Sequence, residues 1–298
     1  MELRTESNLV LAPVLPVERE PLDRTAPTCR ELRRAIGHGE LALWYQPVVD
    51  LSSGLLVGFE ALVRWPHPDL GLLGAGAFVP MADECGLSRA LDDWVLQTAM
   101  KQLALWQDDV LIAPGFRIAV NLSCAQLDGH RLTDRIVDLI DLTGADPGGL
   151  GLELTETNGL VDLDAARLSI AALRELGVEL ALDDFGSAYA TFARLQALQF
   201  DILKLDGGVV GAADEPTGQA FVRAAVDLAG HLGARVIAEG IETAERAEQM
   251  SRLGCHHGQG HLWSRALPPV LAERLLVGGA WPSGTSAVMG VSATQWQR

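Results

Sequence analysis

Eight polar side chains interrupt or end the apolar runs of this chain: Glu60, Asn121, Glu153, Asp183, Asp184, Lys204, Glu239 and Gln259. Five are carboxylates, two are amides and one is an ammonium; no histidine is among them. Carboxylates gathered in one place cannot all ionise without counter-charge. Oxygen donors of this hardness suit Mg²⁺ or Mn²⁺ better than Zn²⁺ or copper. The adjacent pair Asp183 and Asp184, joined by acids from other segments, fits two divalent ions about 3.5–4 Å apart, an arrangement that clamps a phosphate and activates a water. Lys101 and Lys204 are the only lysines among 23 basic side chains. Arginine is the default cation, so a lysine inside the apolar run DILKLD points to a need for a compact ammonium.

Such residues can act together only if the fold gathers them. Apolar runs with β-branched residues predict strands at Leu41–Val49, Leu55–Trp65, Phe116–Ser123, Gly149–Thr155, Val178–Asp183, Phe200–Asp206 and Ala234–Glu239, with a weaker one near Cys255–Trp263. Helical patterns lie between them, at Ser88–Trp106, Leu132–Leu142, Leu163–Leu176, Gly218–Leu232 and Ala244–Leu253. Alternating strands and helices imply a parallel sheet. Eight strands in one chain of this length predict an α/β fold, a (β/α)8 barrel, whose reactive groups gather at the C-terminal ends of the strands. Only DLSSG separates the first two runs. That is too short for a parallel crossover, so the barrel should begin with an antiparallel hairpin. Gly71–Gly76 reads as a loop. His256, His257 and His261 read as polar lining or surface, because their spacing does not aim all three at one point.

Composition narrows the class. Of 298 residues, 48% are hydrophobic and 21% charged, which excludes a mostly disordered chain. The formal net charge of −16 opposes binding to DNA, RNA or an anionic membrane. No apolar run reaches the roughly 20 residues of a membrane span, and no signal peptide is evident. Cys29, Cys85, Cys124 and Cys255 lie far apart without a C-x-x-C pair, and are expected to be reduced, unpaired thiols in a cytoplasmic protein. Residues 1–28, with Pro13, Pro16, Pro21 and Pro27, read as a leader or linker. Residues 29–277 read as the barrel, and 278–298 as a flexible tail.

The ordered segments YQPVVDL, FEALVRW, VNLS, LELTET, DDFG, ILKLD, IAEGIET and GQGHLWS resemble the EAL domain, the cyclic-di-GMP phosphodiesterase family. The resemblance implies a modified (β/α)8 TIM-like barrel with an antiparallel first strand, and hydrolysis of cyclic di-GMP to linear pGpG with two Mg²⁺ or Mn²⁺. The alternative is a weak or inactive receptor for the same dinucleotide, signalling through a partner. By resemblance the metal ligands are Glu60, Asn121, Glu153, Asp183 and Asp184. Glu239 and Lys204 are the groups that deprotonate or orient the water, and Gln259 supports that network. Glu156 holds the loop that follows the Asp pair. Gln46, Leu62 and Arg64 contact the ligand, Arg64 through a phosphate, and a homodimer is expected. The loop DDFGSAYAT departs from the usual DDFGTGYSS at Ala188 and Ala190, where reduced activity would originate. GQGHLWSRALP carries His261 and Ala266 where an aromatic and a proline are usual.

Overall fold

Local rules start the first helix. Thr28 caps α1 (Cys29–His38) by accepting from the Glu31 N–H, while the Glu31 carboxylate accepts from the Thr28 N–H at 2.9 Å. Gly39 ends the helix in a left-handed conformation, φ 68°. The structure, a computed structural model, describes residues 26–108, 112–113, 115–127, 131–155, 163–186 and 198–278. The expected leader over 1–28 and tail over 278–298 lie almost wholly outside the described residues.

A hairpin follows. β1 (Ala42–Asp50) turns back into β2 (Leu56–His67), and the Asp50 carboxylate folds the turn by accepting from the Ser52 and Ser53 N–H groups at 3.0 and 2.7 Å. The Gly71–Gly76 region is not simply a loop. Gly71–Gly74 forms β3, paired antiparallel with the end of β2 from Arg64 to His67. β2 is long enough to run past the barrel, and its free edge recruits this short strand.

Helices and strands then alternate: α2 (Val79–Glu84), α3 (Ser88–Asp108), β4 (Arg117–Leu122), α4 (Arg131–Thr143), β5 (Leu150–Thr155), α5 (Leu163–Glu175), β6 (Glu179–Phe185), β7 (Ile202–Leu205), α6 (Gly207–Gly211), α7 (Pro216–Leu232), β8 (Arg235–Ala238), α8 (Ala244–Arg252), β9 (His257–Gln259) and α9 (Pro269–Gly278). β2 and β4 to β9 pair in parallel in chain order. β1 lies antiparallel between β9 and β2 and closes the eight-stranded barrel. The modified barrel with a reversed first strand is therefore the observed fold.

Side chains on alternate strand positions divide into two environments. Those facing out pack against the helices, as in the cluster of Tyr45, Phe59, Trp106 and Phe116, where Tyr45 and Trp106 meet edge to face at 4.9 Å. Those facing in form a polar layer at the C-terminal ends of the strands and, beneath it, a small apolar cluster of Val48, Ala181, Ile202 and Ile237. Among the described residues, no helix is long and apolar enough to cross a membrane.

The cysteine expectation needs correction. Cys29 and Cys85 form a disulfide, Cα atoms 6.0 Å apart, tying the start of α1 to the end of α2. Fifty-six residues separate them in sequence, and only the fold-back of the hairpin and α2 brings them together. Cys255 is a free, buried thiol.

Candidate active site

Strand register builds the polar layer. Gln46 on β1 stands opposite Glu60 on β2, and Asn121 on β4 opposite Glu153 on β5. Asp183, Lys204 and Gln259 enter from β6, β7 and β9. Glu239 follows β8 directly, its N–H bonded to the Leu205 carbonyl at 3.1 Å. Asp184 adopts φ 56°, a left-handed conformation that aspartate tolerates better than most residues. The ladder between β6 and β7 shifts register at the same place. In a regular strand Asp183 and Asp184 would face opposite sides. The kink instead brings one carboxylate oxygen from each of Asp183, Asp184 and Glu239 within 4.8 Å of one another.

Lys204 is the hub, 1% exposed. Its Nζ lies 2.6 Å from Glu153 Oε2, 2.7 Å from Glu239 Oε1, 3.0 Å from Asp183 Oδ1 and 3.7 Å from Glu60 Oε2. Burial alone would drive the ammonium toward neutrality, but the surrounding carboxylates more than reverse this and hold it charged. One ammonium cannot neutralise four acids, so their proton affinities diverge. For Glu60, burial works upward, yet Lys204 and the amide donors of Gln259 and Asn121 overcome it and keep the carboxyl below its ordinary range. Those amides bond Glu60 at 2.5 Å (Gln259 Nε2) and 2.7 Å (Asn121 Nδ2). Burial raises Glu153 well above its ordinary range against the pull of Lys204. Burial also pushes Glu239 up to about 7, opposed by Lys204 and reinforced by Asp183 and Glu60. Asp184, nearer solvent, is raised by burial and by repulsion from Asp183 and Asp206.

The donor set fits divalent cations. Asp183 Oδ1 touches the Lys204 ammonium without hydrogen-bond geometry, and it and Gln259 Oε1 are buried acceptors with no hydrogen-bond partner. Buried acceptors beside three clustered carboxylates call for a cation or a donor.

Two lobes of one cleft meet at Glu60, Leu62 and Asp183. The smaller, about 300 Å³, is walled by Gln46, Glu239, Gln259 and His261. The larger, about 560 Å³, is walled by Asn121, Asp184, Asp92 and residues of the segment from Ala75 to Asp83, which leads into α2. Gln46 accepts from Gln259 at 3.3 Å and donates to the Ser264 carbonyl at 3.4 Å. Arg64 is half-buried two positions beyond Leu62, its Nη1 bonded to the Val63 carbonyl at 2.9 Å. Thus Gln46, Glu60, Leu62, Asn121, Glu153, Asp183, Asp184, Lys204, Glu239 and Gln259 come together. Glu156 and the loop bearing Ala188 and Ala190 lie outside the described residues.

Sequence reasoning missed Asp92. It projects from α3 into the larger lobe and accepts from the Ser123 N–H at 3.4 Å and from Gln126 Nε2 at 3.2 Å. Burial pushes its carboxyl up to about 6. In the sequence it is one of two acids in LDDW on an amphipathic helix, and nothing there distinguishes it from a solvated charge.

Comparison with known proteins agrees with this geometry. The chain is 39% identical over 246 residues to "Cyclic di-GMP phosphodiesterase PA2567" of Pseudomonas aeruginosa, covering 82% of this chain and 41% of that protein. It is 37% identical over 247 residues to the bifunctional diguanylate cyclase/cyclic di-GMP phosphodiesterase MucR of the same organism, covering 83% and 35%. The chain thus spans about two fifths of the length of these curated relatives. Among solved structures, the PaMucR phosphodiesterase in complex with c-di-GMP superposes with a TM-score of 0.75 at 36% identity, covering 82% of this chain and 98% of that one. The EAL domain of Mycobacterium smegmatis DcpA superposes with a TM-score of 0.68 at 29% identity, covering 82% and 99%. The EAL domain model matches residues 29–266, and the chain belongs to that family.

Proposed function

We propose that this chain hydrolyses one phosphodiester bond of cyclic di-GMP to give linear pGpG, with two Mg²⁺ or Mn²⁺ held by Glu60, Asn121, Glu153, Asp183 and Asp184. The observation that carries this reading is the placement of the Asp183–Asp184–Glu239 cluster at the junction of two lobes. A dinucleotide ring has two nucleoside halves joined by phosphates, and a two-lobed cleft with its acids at the centre suits that shape. The names of the relatives support the substrate class.

When bound, the cations neutralise the phosphate and lower the pKa of a water. The water oxygen bonds to phosphorus, the P–O3′ bond breaks, and O3′ leaves and takes a proton. Glu239 stands ready to accept the water proton, and Lys204 fixes Glu239 and Glu153 in place while offering positive charge as the phosphorane forms. Arg64 faces a phosphate of the ring; Gln46 and Leu62 contact the ligand. Gln259 orients Glu60 through its 2.5 Å bond. The homodimer and cytoplasmic location are part of the same reading, and light scattering with and without cyclic di-GMP tests the former.

The test is product analysis. The chain is incubated with cyclic di-GMP in Mg²⁺, in Mn²⁺ or in EDTA, and the nucleotides are separated. pGpG should form only with a cation. Tight binding without product in either metal would make the protein a receptor for the dinucleotide instead.

A further inference from the structure

The barrel axis holds a second void, at the end opposite the acids. It measures about 130 Å³ and lies between the apolar cluster of Val48, Ala181, Ile202 and Ile237 and the N-terminal ends of the strands. Barrel interiors of this kind are ordinarily filled by layers of bulky branched side chains. Here Gly58, Ala119 and Gly151 line the space and add little side-chain volume to it; a Cβ at Gly58 would meet the Arg117 carbonyl oxygen at 2.7 Å, so the close approach of β2 and β4 keeps that position bare. A dry cavity of about 150 Å³ accepts a six-carbon ring, so this one has room for a short alkyl chain.

The rim is charged. Glu179 forms a hydrogen-bonded ion pair with Arg235 Nη2, and its other oxygen lies 3.5 Å from Arg117 Nε. That second contact lacks hydrogen-bond geometry: Arg117 Nε is buried and without a hydrogen-bond partner, while Nη1 bonds the Gly115 carbonyl at 3.0 Å. Two guanidiniums thus share one carboxylate at the mouth of an apolar chamber, in a protein whose net charge is −16. The Arg117 and Arg235 side chains stay 28% and 39% exposed, so a second carboxylate can reach them beside Glu179. Glu153, the one other acid on the wall, turns its Oε2 away to Lys204 in the layer above. His257 completes the lining, 3.9 Å from Asp50, which is itself taken up by Ser52 and Ser53.

We propose that this end of the barrel binds a short aliphatic monocarboxylate, its carboxylate on Arg117 and Arg235 and its alkyl chain among Val48, Ala181, Ile202 and Ile237. The site is independent of phosphodiester hydrolysis, and it can be tested without cyclic di-GMP or metal.

The probe is pentanoate, titrated into the full chain carrying methyl-labelled isoleucine and valine. The Ile202 and Ile237 methyl resonances should shift and saturate with a Kd of about 1 mM. Acetate, which has the headgroup without the chain, should leave them unmoved. Pentan-1-ol, which has the chain without the charge, should bind about tenfold more weakly, and Arg117→Gln should weaken pentanoate by a similar factor while leaving pentan-1-ol unchanged. Ala181→Leu fills the chamber and should abolish the shifts; if it does not fold, Ala119→Val makes the same test. Non-saturating shifts, equal binding of the alcohol and the acid, or an Arg117→Gln variant that binds pentanoate normally would each overturn the proposal.

Discussion

Lys204 Nζ lies 2.6 Å from Glu153 Oε2, with both side chains sealed inside the barrel. Removing one partner of a buried pair leaves an uncompensated charge, which costs about 3–5 kcal/mol. Lys204→Met should therefore lower the urea midpoint and abolish turnover together. Adding Glu153→Gln to Lys204→Met removes one of the four acids left without their cation and should recover only part of the stability and none of the activity. Equal stability of Lys204→Met and the unmodified chain would show that the acids relax without their cation.

Glu60 is held by two amides and one ammonium, and its role can be separated from theirs. Glu60→Ala should abolish Mg²⁺-dependent pGpG formation. Gln259 does not belong to the acid cluster but orients it. Gln259→Ala should therefore raise the Mg²⁺ concentration for half-maximal rate, or lower the rate, by about 10–100-fold. A metal titration of each variant distinguishes the two, and unchanged turnover in Glu60→Ala would remove that residue from the site.

The disulfide makes a claim on stability. A bond that closes a long loop typically adds about 2–4 kcal/mol by restricting the unfolded chain. Cys85→Ser should lower Tm, and a reductant should lower the Tm of the unmodified chain to the same value while leaving Cys85→Ser unaffected. A Tm insensitive to reductant would mean that the two thiols do not pair in solution.

Asp92 gives the fold a pH dependence. Burial raises its carboxyl from an ordinary value of 3.8 to about 6, so the folded state holds this proton more tightly than the unfolded state. The stabilisation is complete below about pH 4 and disappears as pH rises through 6. Asp92→Asn cannot ionise, and its amide oxygen can still accept from Ser123 and Gln126. Relative to the unmodified chain, the variant should gain about 2–3 kcal/mol between pH 4 and pH 8. Denaturant melts at the two pH values measure this, and parallel curves would place Asp92 in water.

Much of this was legible in the sequence because polar residues inside apolar runs are expensive to bury without a purpose. Glu60, Glu153 and Lys204 stand out for that reason, and register then forces them together. The five-residue hairpin connection likewise left β1 no orientation but antiparallel. The features that escaped depend on contacts between distant segments. Cys29 and Cys85 carry no local mark of pairing, and β3 is a short glycine-flanked segment that is a strand only because β2 offers an edge. Asp92 looks like any surface acid until Ser123 and Gln126 fold over it. The axial chamber is lined by small residues, Gly58, Ala119 and Gly151, and absent volume leaves no periodic trace.

The reversal of β1 has a consequence for traffic through the polypeptide. In an all-parallel barrel the first strand rises from the floor, so an upstream module would attach far from the chemistry. Here β1 descends from the rim, as the pairing of Gln46 with Glu60 requires. α1, which feeds it, is stapled through Cys29 to Cys85, two residues past Asp83 on the cleft wall. Any force or rotation delivered through α1 is thereby applied beside the larger lobe of the cleft rather than at the far end of the barrel.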